Sequence, residues 1–273
     1  MGTPIQFNYI DVGNPKGRPV FFLHGFLGDR RDWDEVVAAL SADFRCIAVD
    51  LPGHGRTTVD GGLEQYELAT TAGALVGLAD RLGFGRLSVV GYSMGARLAL
   101  LLARRFPERV DRIVLESGSP GLLSAVERGE RLAQDEEWAK DLEAGPLAAF
   151  VQRWYEQELF ASLRQHPERF VQLVQRRLEH RPHELAKSLR ASGTGRQPNL
   201  WSELGLVACP VLLIVGALDA KYVYIGEEML PHLATAELER IPGCGHNVHF
   251  ENVDTYTGLV RNFLRRKIRD TTK

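Results

Sequence analysis

Three residues suited to nucleophilic or general-base chemistry occur along this chain in the order Ser93, Asp219, His246. Ser93 is the centre of Gly91-Tyr92-Ser93-Met94-Gly95, a Gly-x-Ser-x-Gly pentapeptide. An apolar, β-type run from Leu87 leads into it, and a helical run from Leu98 to Arg105 leads out. That context predicts a sharp strand–turn–helix elbow that lifts the serine clear of the backbone. A side chain at either flank would collide in so tight a turn, which explains glycine at both 91 and 95. The helix N-terminus then presents free N–H groups that favour negative charge beside the serine.

A serine hydroxyl near neutral pH is both a weak base and a weak nucleophile. It needs an imidazole to accept its proton and a carboxylate to orient that imidazole. Asp219 follows the apolar run Val211-Leu212-Leu213-Ile214-Val215, and His246 follows the weaker run from Glu237 to Ile241. Both are therefore expected at the sheet edge that carries Ser93. Asp50 and Glu116 also end strand-like runs; Asp50 precedes the serine, and Glu116 follows it closely. Of the eight histidines, His24 and His54 lie in Gly-rich loops and read as loop-building or pocket residues. His166, His180, His183 and His232 lie in charged or helical surroundings and read as surface residues. His249 could share a metal with His246, but no carboxylate stands at ligand spacing, so no metal is expected. The backbone N–H groups of Met94, just after the nucleophile, and Phe26, just after His24-Gly25, are the expected oxyanion hole.

The elements that must position these groups alternate. Residues 5–12 read as an edge strand, Asn14-Pro15-Lys16-Gly17 as a turn and Val20-Phe21-Phe22-Leu23 as a buried strand. Asp32 is placed to cap a helix through Trp33, Val36, Val37 and Leu40. A second buried strand runs from Arg45 to Val49, a helix occupies 64–82 and stops at Gly83, and a further strand covers Ile113 to Glu116. Such alternation predicts an α/β fold with a mostly parallel, doubly wound sheet. The loops His24-Gly25, Pro52-Gly53-His54-Gly55 and the elbow all leave strand C-termini, the edge where open α/β sheets bind ligands. Residues 120–200 break the pattern: strand-like runs vanish, and ten Arg and two Lys stand against twelve Asp or Glu. That segment is expected to be a helical cap inserted in a core of 1–119 and 201–273, with a C-terminal helix over 253–267.

The whole composition narrows the function. With 273 residues, 44% hydrophobic content and a formal net charge of −2, the chain can bury a large core and has no basic surface for nucleic acid or membrane. Cys46, Cys209 and Cys244 show neither disulfide nor metal spacing. No signal peptide, myristoylation pattern or membrane-length apolar run is present, so a cytoplasmic protein is expected.

Taken together, His24-Gly25-Phe26, Gly53-His54-Gly55, the elbow, Asp219 and Gly245-His246 resemble the α/β-hydrolase superfamily over nearly the whole chain. Within it, Glu116-Ser117-Gly118-Ser119-Pro120-Gly121-Leu122, Phe160-Ala161-Ser162-Leu163, Gly193-Thr194-Gly195-Arg196-Gln197-Pro198, Asp219-Ala220-Lys221-Tyr222 and Gly245-His246-Asn247-Val248-His249 resemble a narrower family. That family is the 2-succinyl-6-hydroxy-2,4-cyclohexadiene-1-carboxylate synthases of menaquinone biosynthesis. Ala96 departs from its pattern, which usually has a second glycine there. The resemblance implies a lyase that eliminates pyruvate from a tricarboxylate without metal or organic cofactor. It also implies that Arg97, Arg131 and Arg177, the last preferred to Arg176, bind substrate carboxylates, with Lys221 as a further candidate. Tyr92, Trp154 and Phe160 are candidate pocket residues, though packing between cap and sheet would explain the two cap aromatics as well. A serine hydrolase of the same fold, either a carboxylesterase or a carbon–carbon bond hydrolase, shares every triad residue and stays open as an alternative. So does a non-catalytic receptor on this fold.

Overall fold

The computed structural model describes residues 4–266. Seven strands form the main sheet in the order β2-β4-β3-β6-β7-β8-β9: Tyr9–Gly13 (β2), Pro19–Leu23 (β3), Arg45–Val49 (β4), Leu87–Tyr92 (β6), Val110–Glu116 (β7), Val211–Gly216 (β8) and Ala236–Ile241 (β9). All neighbours are parallel except the edge pair β2·β4. The expected α/β class and mostly parallel doubly wound sheet are therefore observed. The stretch expected as one edge strand is two. Ile5–Gln6 (β1) pairs with Thr58–Val59 (β5) in a separate small sheet, and β2 takes the edge. Asn8 causes the split, because its N–H donates to Thr57 Oγ1 at 2.9 Å and its side chain donates to Asp50 at 2.7 Å.

Buried strands with alternating side chains need cover on both faces. Leu68–Arg81 (α2) and Met94–Arg105 (α3) pack on Phe21, Leu23, Ile47 and Val89. Asp34–Leu40 (α1) and Val253–Arg265 (α10) pack on Phe22, Ala48, Val90 and Val114. The helix expected over 64–82 starts only at Leu68; Leu63–Tyr66 is a 3-10 turn, and Glu67 between them is extended. Asp32 does not cap α1. Asp29 caps the preceding 3-10 turn by accepting the Arg31 N–H at 2.7 Å, while Asp32 is used elsewhere. Between β7 and β8 the helices Ala125–Ala144 (α4), Leu147–Glu156 (α5), Pro167–Arg177 (α6) and Pro182–Ser192 (α7), with a 3-10 stretch Glu158–Gln165, gather their own apolar cluster. Phe150, Tyr155, Phe160 and Leu185 belong to it, and Leu27 and Phe250 from the sheet side complete it. Ala220–Met229 (α8) and the short Val248–Glu251 (α9) follow β8 and β9. No helix among the described residues is long and apolar enough to cross a membrane. The expected C-terminal helix ends at Arg265; residue 267 lies outside the described residues.

Candidate active site

β6 lies at the centre of the sheet, and the chain leaves it at Ser93 with φ +51° and ψ −106°. That conformation is strained for a residue with a side chain and persists only when the surroundings fix it. They do so here by close backbone packing. A Cβ at Gly95 would strike the Leu23 carbonyl oxygen, and one at Gly91 would strike the Gly95 carbonyl. The Ser93 N–H donates to Glu116 O at 2.8 Å, and the Ser93 carbonyl accepts from Arg97 N–H at 3.0 Å as α3 begins. The Ala96 methyl occupies the space that a side chain at 118 would need; a Cβ on Gly118 would lie 2.8 Å from it. The departure at 96 is thus matched by glycine at 118.

Asp219 and His246 arrive from the loops after β8 and β9. Asp219 caps α8 through Oδ1, which accepts the Tyr222 N–H at 3.2 Å. Its Oδ2 accepts from His246 Nδ1 at 2.7 Å, and His246 Nε2 lies 3.2 Å from Ser93 Oγ. Asp219 and His246 are both buried. Tyr222, Tyr92 and Phe160 surround the imidazole at centroid distances of 4.6, 5.4 and 5.9 Å. The carboxylates of Asp50 and Glu116 reach neither Ser93 nor His246. Asp50 accepts the N–H groups of Arg30 and Arg56, and Glu116 pairs with His249. The Cys244 thiol, close by in sequence, is buried and its pKa is pushed up to about 11 by that burial.

Ser93 opens into a cavity of about 70 Å³ walled by Phe26, Met94, Arg97, Arg131, Trp138, Trp154, Phe160, Tyr222 and His246. Met94 is the first residue of α3, so its N–H has no carbonyl within the helix to serve. Arg97 is 8% exposed and donates from Nη1 to the Ser192 carbonyl at 3.0 Å. Among the described residues it has no carboxylate partner. Burial, with Arg131 nearby, pushes its pKa down to about 10. Arg131 pairs with Asp135 at 2.8 Å and lies 5.0 Å from the Trp138 ring centroid.

Three of the candidate residues are elsewhere. Tyr92 packs behind His246 beneath Gly25, where a Cβ would meet its ring at 2.7 Å. Lys221 is exposed and lines a neighbouring groove of about 570 Å³, which shares Arg131, Thr194 and Tyr222 with the cavity. Arg177, expected to bind a substrate carboxylate, does not line the cavity. It is buried away from the cavity in a two-pronged pair with Asp32 at 2.8 and 2.8 Å, and its Nε donates to Tyr155 Oη at 3.0 Å. A buried guanidinium requires such a partner, and nothing in local spacing announced Asp32. Arg176 does not reach the cavity either; it donates to the Arg31 carbonyl. Tyr222 and Trp138, both on the wall, are functional candidates that the sequence reading does not single out. Tyr222 lies three residues after Asp219, which was the available signal.

One of the histidines expected at the surface is not there. His180 is buried: its Nε2 donates to Leu27 O at 2.8 Å, and its Nδ1 accepts the Gly55 N–H at 3.1 Å. His54 accepts the Leu27 N–H at 3.2 Å, and His24 accepts the Leu51 N–H at 2.9 Å. These three rings tie together the loops that flank Phe26.

The model of the alpha/beta hydrolase fold family matches residues 18–253. The 2-succinyl-6-hydroxy-2,4-cyclohexadiene-1-carboxylate synthase of Escherichia coli is 35% identical over 93% of this chain and 96% of its own length. The chloroplastic protein PHYLLO of Arabidopsis thaliana is 37% identical over 96% of this chain, which spans only 16% of that longer protein. The solved structure of MenH from S. aureus superposes with a TM-score of 0.89 at 31% identity, covering 95% of this chain and 97% of that one. By fold, by the order and geometry of its site and by these likenesses, the chain belongs to the α/β-hydrolase family, among the 2-succinyl-6-hydroxy-2,4-cyclohexadiene-1-carboxylate synthases.

Proposed function

We propose that the chain is a carbon–oxygen lyase of menaquinone biosynthesis. It eliminates pyruvate from 2-succinyl-5-enolpyruvyl-6-hydroxy-3-cyclohexene-1-carboxylate to give 2-succinyl-6-hydroxy-2,4-cyclohexadiene-1-carboxylate. The observation that carries the reading is the buried, carboxylate-free guanidinium of Arg97, facing the same cavity as Ser93 and His246. A buried cation without a partner is costly unless a ligand brings the anion. A neutral ester would leave it unmatched.

In this reading Asp219 holds His246 in the tautomer whose Nε2 accepts a proton, and His246 polarises Ser93. Ser93 removes the proton α to the succinyl ketone rather than attacking carbon. The enolate oxygen lies against the N–H groups of Phe26 and Met94, in the place where esterases hold a tetrahedral oxyanion. Collapse of the enolate breaks the bond from the ring carbon to the enolpyruvyl oxygen in a 2,5-elimination; the expelled enolate takes up one proton, which balances the one left on His246, and departs as pyruvate. Arg97 and Arg131 bind substrate carboxylates, with Trp154 and Phe160 shaping the wall. We assign residues 1–119 and 201–273 to the core and 120–200 to an inserted cap, and place the reaction in the cytoplasm. The test is incubation with the enolpyruvyl substrate, followed by pyruvate detection. Release of pyruvate by wild type and its loss in Ser93→Ala is the expected result. No pyruvate, together with turnover of simple esters, would move the chain to the hydrolases.

A further inference from the structure

His246 sits in a loop between β9 and α9, where no strand or helix ladder fixes its backbone. Something else must hold it, because proton transfer between Ser93 and His246 tolerates well under 1 Å of misplacement. The buried Glu251 carboxylate holds the residues on either side, accepting the Gly245 N–H at 2.9 Å and the Asn247 N–H at 3.3 Å, and the end of β7 holds His246 itself and His249. Glu116, fully buried and paired in register with Tyr92, accepts the His249 N–H on Oε1 at 3.0 Å and His249 Nδ1–H on Oε2 at 2.7 Å. The next residue, Ser117, has φ +48° and donates its hydroxyl to the His246 carbonyl at 2.8 Å. The last residue of β7 and the residue that follows it thus grip both ends of the 246–249 segment. The Tyr92 ring fills the space between the two imidazoles, 5.4 Å from His246 and 4.9 Å from His249. On its far side His249 stacks on Trp33 at 4.3 Å with the rings 21° apart.

A buried carboxylate–imidazole pair is a poor way to gain stability, since well-packed apolar residues of similar volume usually do as well or better. What it provides is direction: two fixed hydrogen bonds that only one placement of His249 satisfies. We propose that Glu116 and His249 are a positioning pair, which through the 246–249 segment and the Tyr92 ring sets the distance and angle at which His246 Nε2 meets Ser93 Oγ. The pair touches no reacting atom. The inference rests on reading Ser93 and His246 as the reactive couple.

The test compares Glu116→Gln, His249→Phe and Ser117→Ala with wild type. Phe at 249 keeps the stack between Trp33 and Tyr92, and Ala at 117 keeps the pair while removing the grip on His246. Three quantities are read: melting temperature, steady-state pyruvate release, and the rate at which a neutral fluorophosphonate labels Ser93. The expected result for Glu116→Gln and His249→Phe is a fall of about tenfold to a hundredfold in both kcat and labelling rate, at nearly constant KM. The double variant should be no worse than the singles, because the two residues act as one unit. Ser117→Ala should lower the same two rates by a smaller factor, and it keeps the test open where the buried substitutions fail to fold. Folded variants whose kcat and labelling rate stay within about twofold of wild type overturn the inference. Labelling decides this independently of the lyase reading, which fails instead if wild type is labelled at Ser93 but releases no pyruvate.

Discussion

At the residue scale, two arginines that look alike in sequence sit in opposite surroundings. Arg177 spends its charge on Asp32, with the two side chains 3% and 5% exposed. Arg97 has a backbone carbonyl and a pKa pushed down to about 10 by burial. Arg177→Ala leaves the Asp32 carboxylate buried and unpaired, so it should cost about 3–5 kcal/mol of stability, read from denaturant unfolding. Arg97→Ala removes a cation that folding has already desolvated, so stability should hold. Its kcat/KM for the tricarboxylate should instead fall roughly 30-fold to several thousandfold, the equivalent of about 2–5 kcal/mol. If Arg97→Ala melts early and turns over normally, the two roles have been exchanged. Ser93→Ala, Asp219→Asn and His246→Ala belong to a third class: each should cut kcat by several orders of magnitude without shifting the melting temperature much, and the double variants should be scarcely worse than the singles. Asp50→Asn should leave chemistry intact, since Asp50 accepts loop N–H groups and touches neither Ser93 nor His246.

At the scale of elements, what could be read in advance is what depends on neighbours in sequence. The elbow was legible because a strand, two glycines and a helix start within a short run leave one way to turn. Strand ends were legible because an apolar run followed by Gly or Asp stops there, and this placed Asp219 and His246 on the right edge. The links that cross between elements were not legible. Arg177 finds Asp32 from a helix far along the chain, and His180 finds Leu27 and Gly55 the same way. Sequence spacing says nothing about such partners, so a buried histidine in a charged helix end looked like surface. Its burial has a measurable consequence. Burial first, and then the nearby charge of Arg177, bring the His180 pKa down to about 4 from 6.5. In the unfolded chain it takes up a proton below about 6.5. The folded state therefore binds fewer protons between those values, and stability falls as pH drops through that window. Between pH 7 and 4.5 this one group should remove about 2 kcal/mol, measured by urea unfolding. His180→Gln, which can still donate to Leu27, should flatten that part of the profile. Asp29, held below the usual carboxylate range because the hydrogen bond from Arg31 and the charge of Arg177 outweigh its burial, acts in a lower window. Its contribution is present above about pH 4 and is lost below it. A profile unchanged by His180→Gln between pH 6.5 and 4.5 would show that the ring is protonated in the folded protein.

At the scale of the whole molecule, the site is shared by two bodies of structure that the sequence separates widely. The sheet edge supplies Ser93, Asp219, His246 and Arg97, while the helices after β7 supply Arg131, Trp154 and Phe160. A cavity of about 70 Å³ between them is small against the roughly 300–1,000 Å³ usual for small-molecule sites. The adjoining groove of about 570 Å³ has Arg131, Thr194 and Tyr222 in common with it, and Lys221 stands on its wall. In the proposed reaction, a tricarboxylate reacting at Ser93 would extend past Arg131 into that groove, and Lys221 on the groove wall is the cation available to its outlying carboxylate. The two cations should then differ in how salt affects them. Arg97 is buried, so its contribution is poorly screened; Lys221 is exposed, so its contribution is screened within a Debye length of about 10 Å at 0.1 M salt. Lys221→Ala should raise KM by up to about fivefold at low salt, leave kcat nearly unchanged, and become indistinguishable from wild type near 1 M KCl. Arg97→Ala should keep its deficit at every salt concentration. A small neutral ester, if it is turned over at all, should be blind to both substitutions, because it presents no carboxylate to either site. If Lys221→Ala matches wild type at low salt as well, the substrate does not reach the groove, and the cap must then shift away from the sheet edge to make room for it.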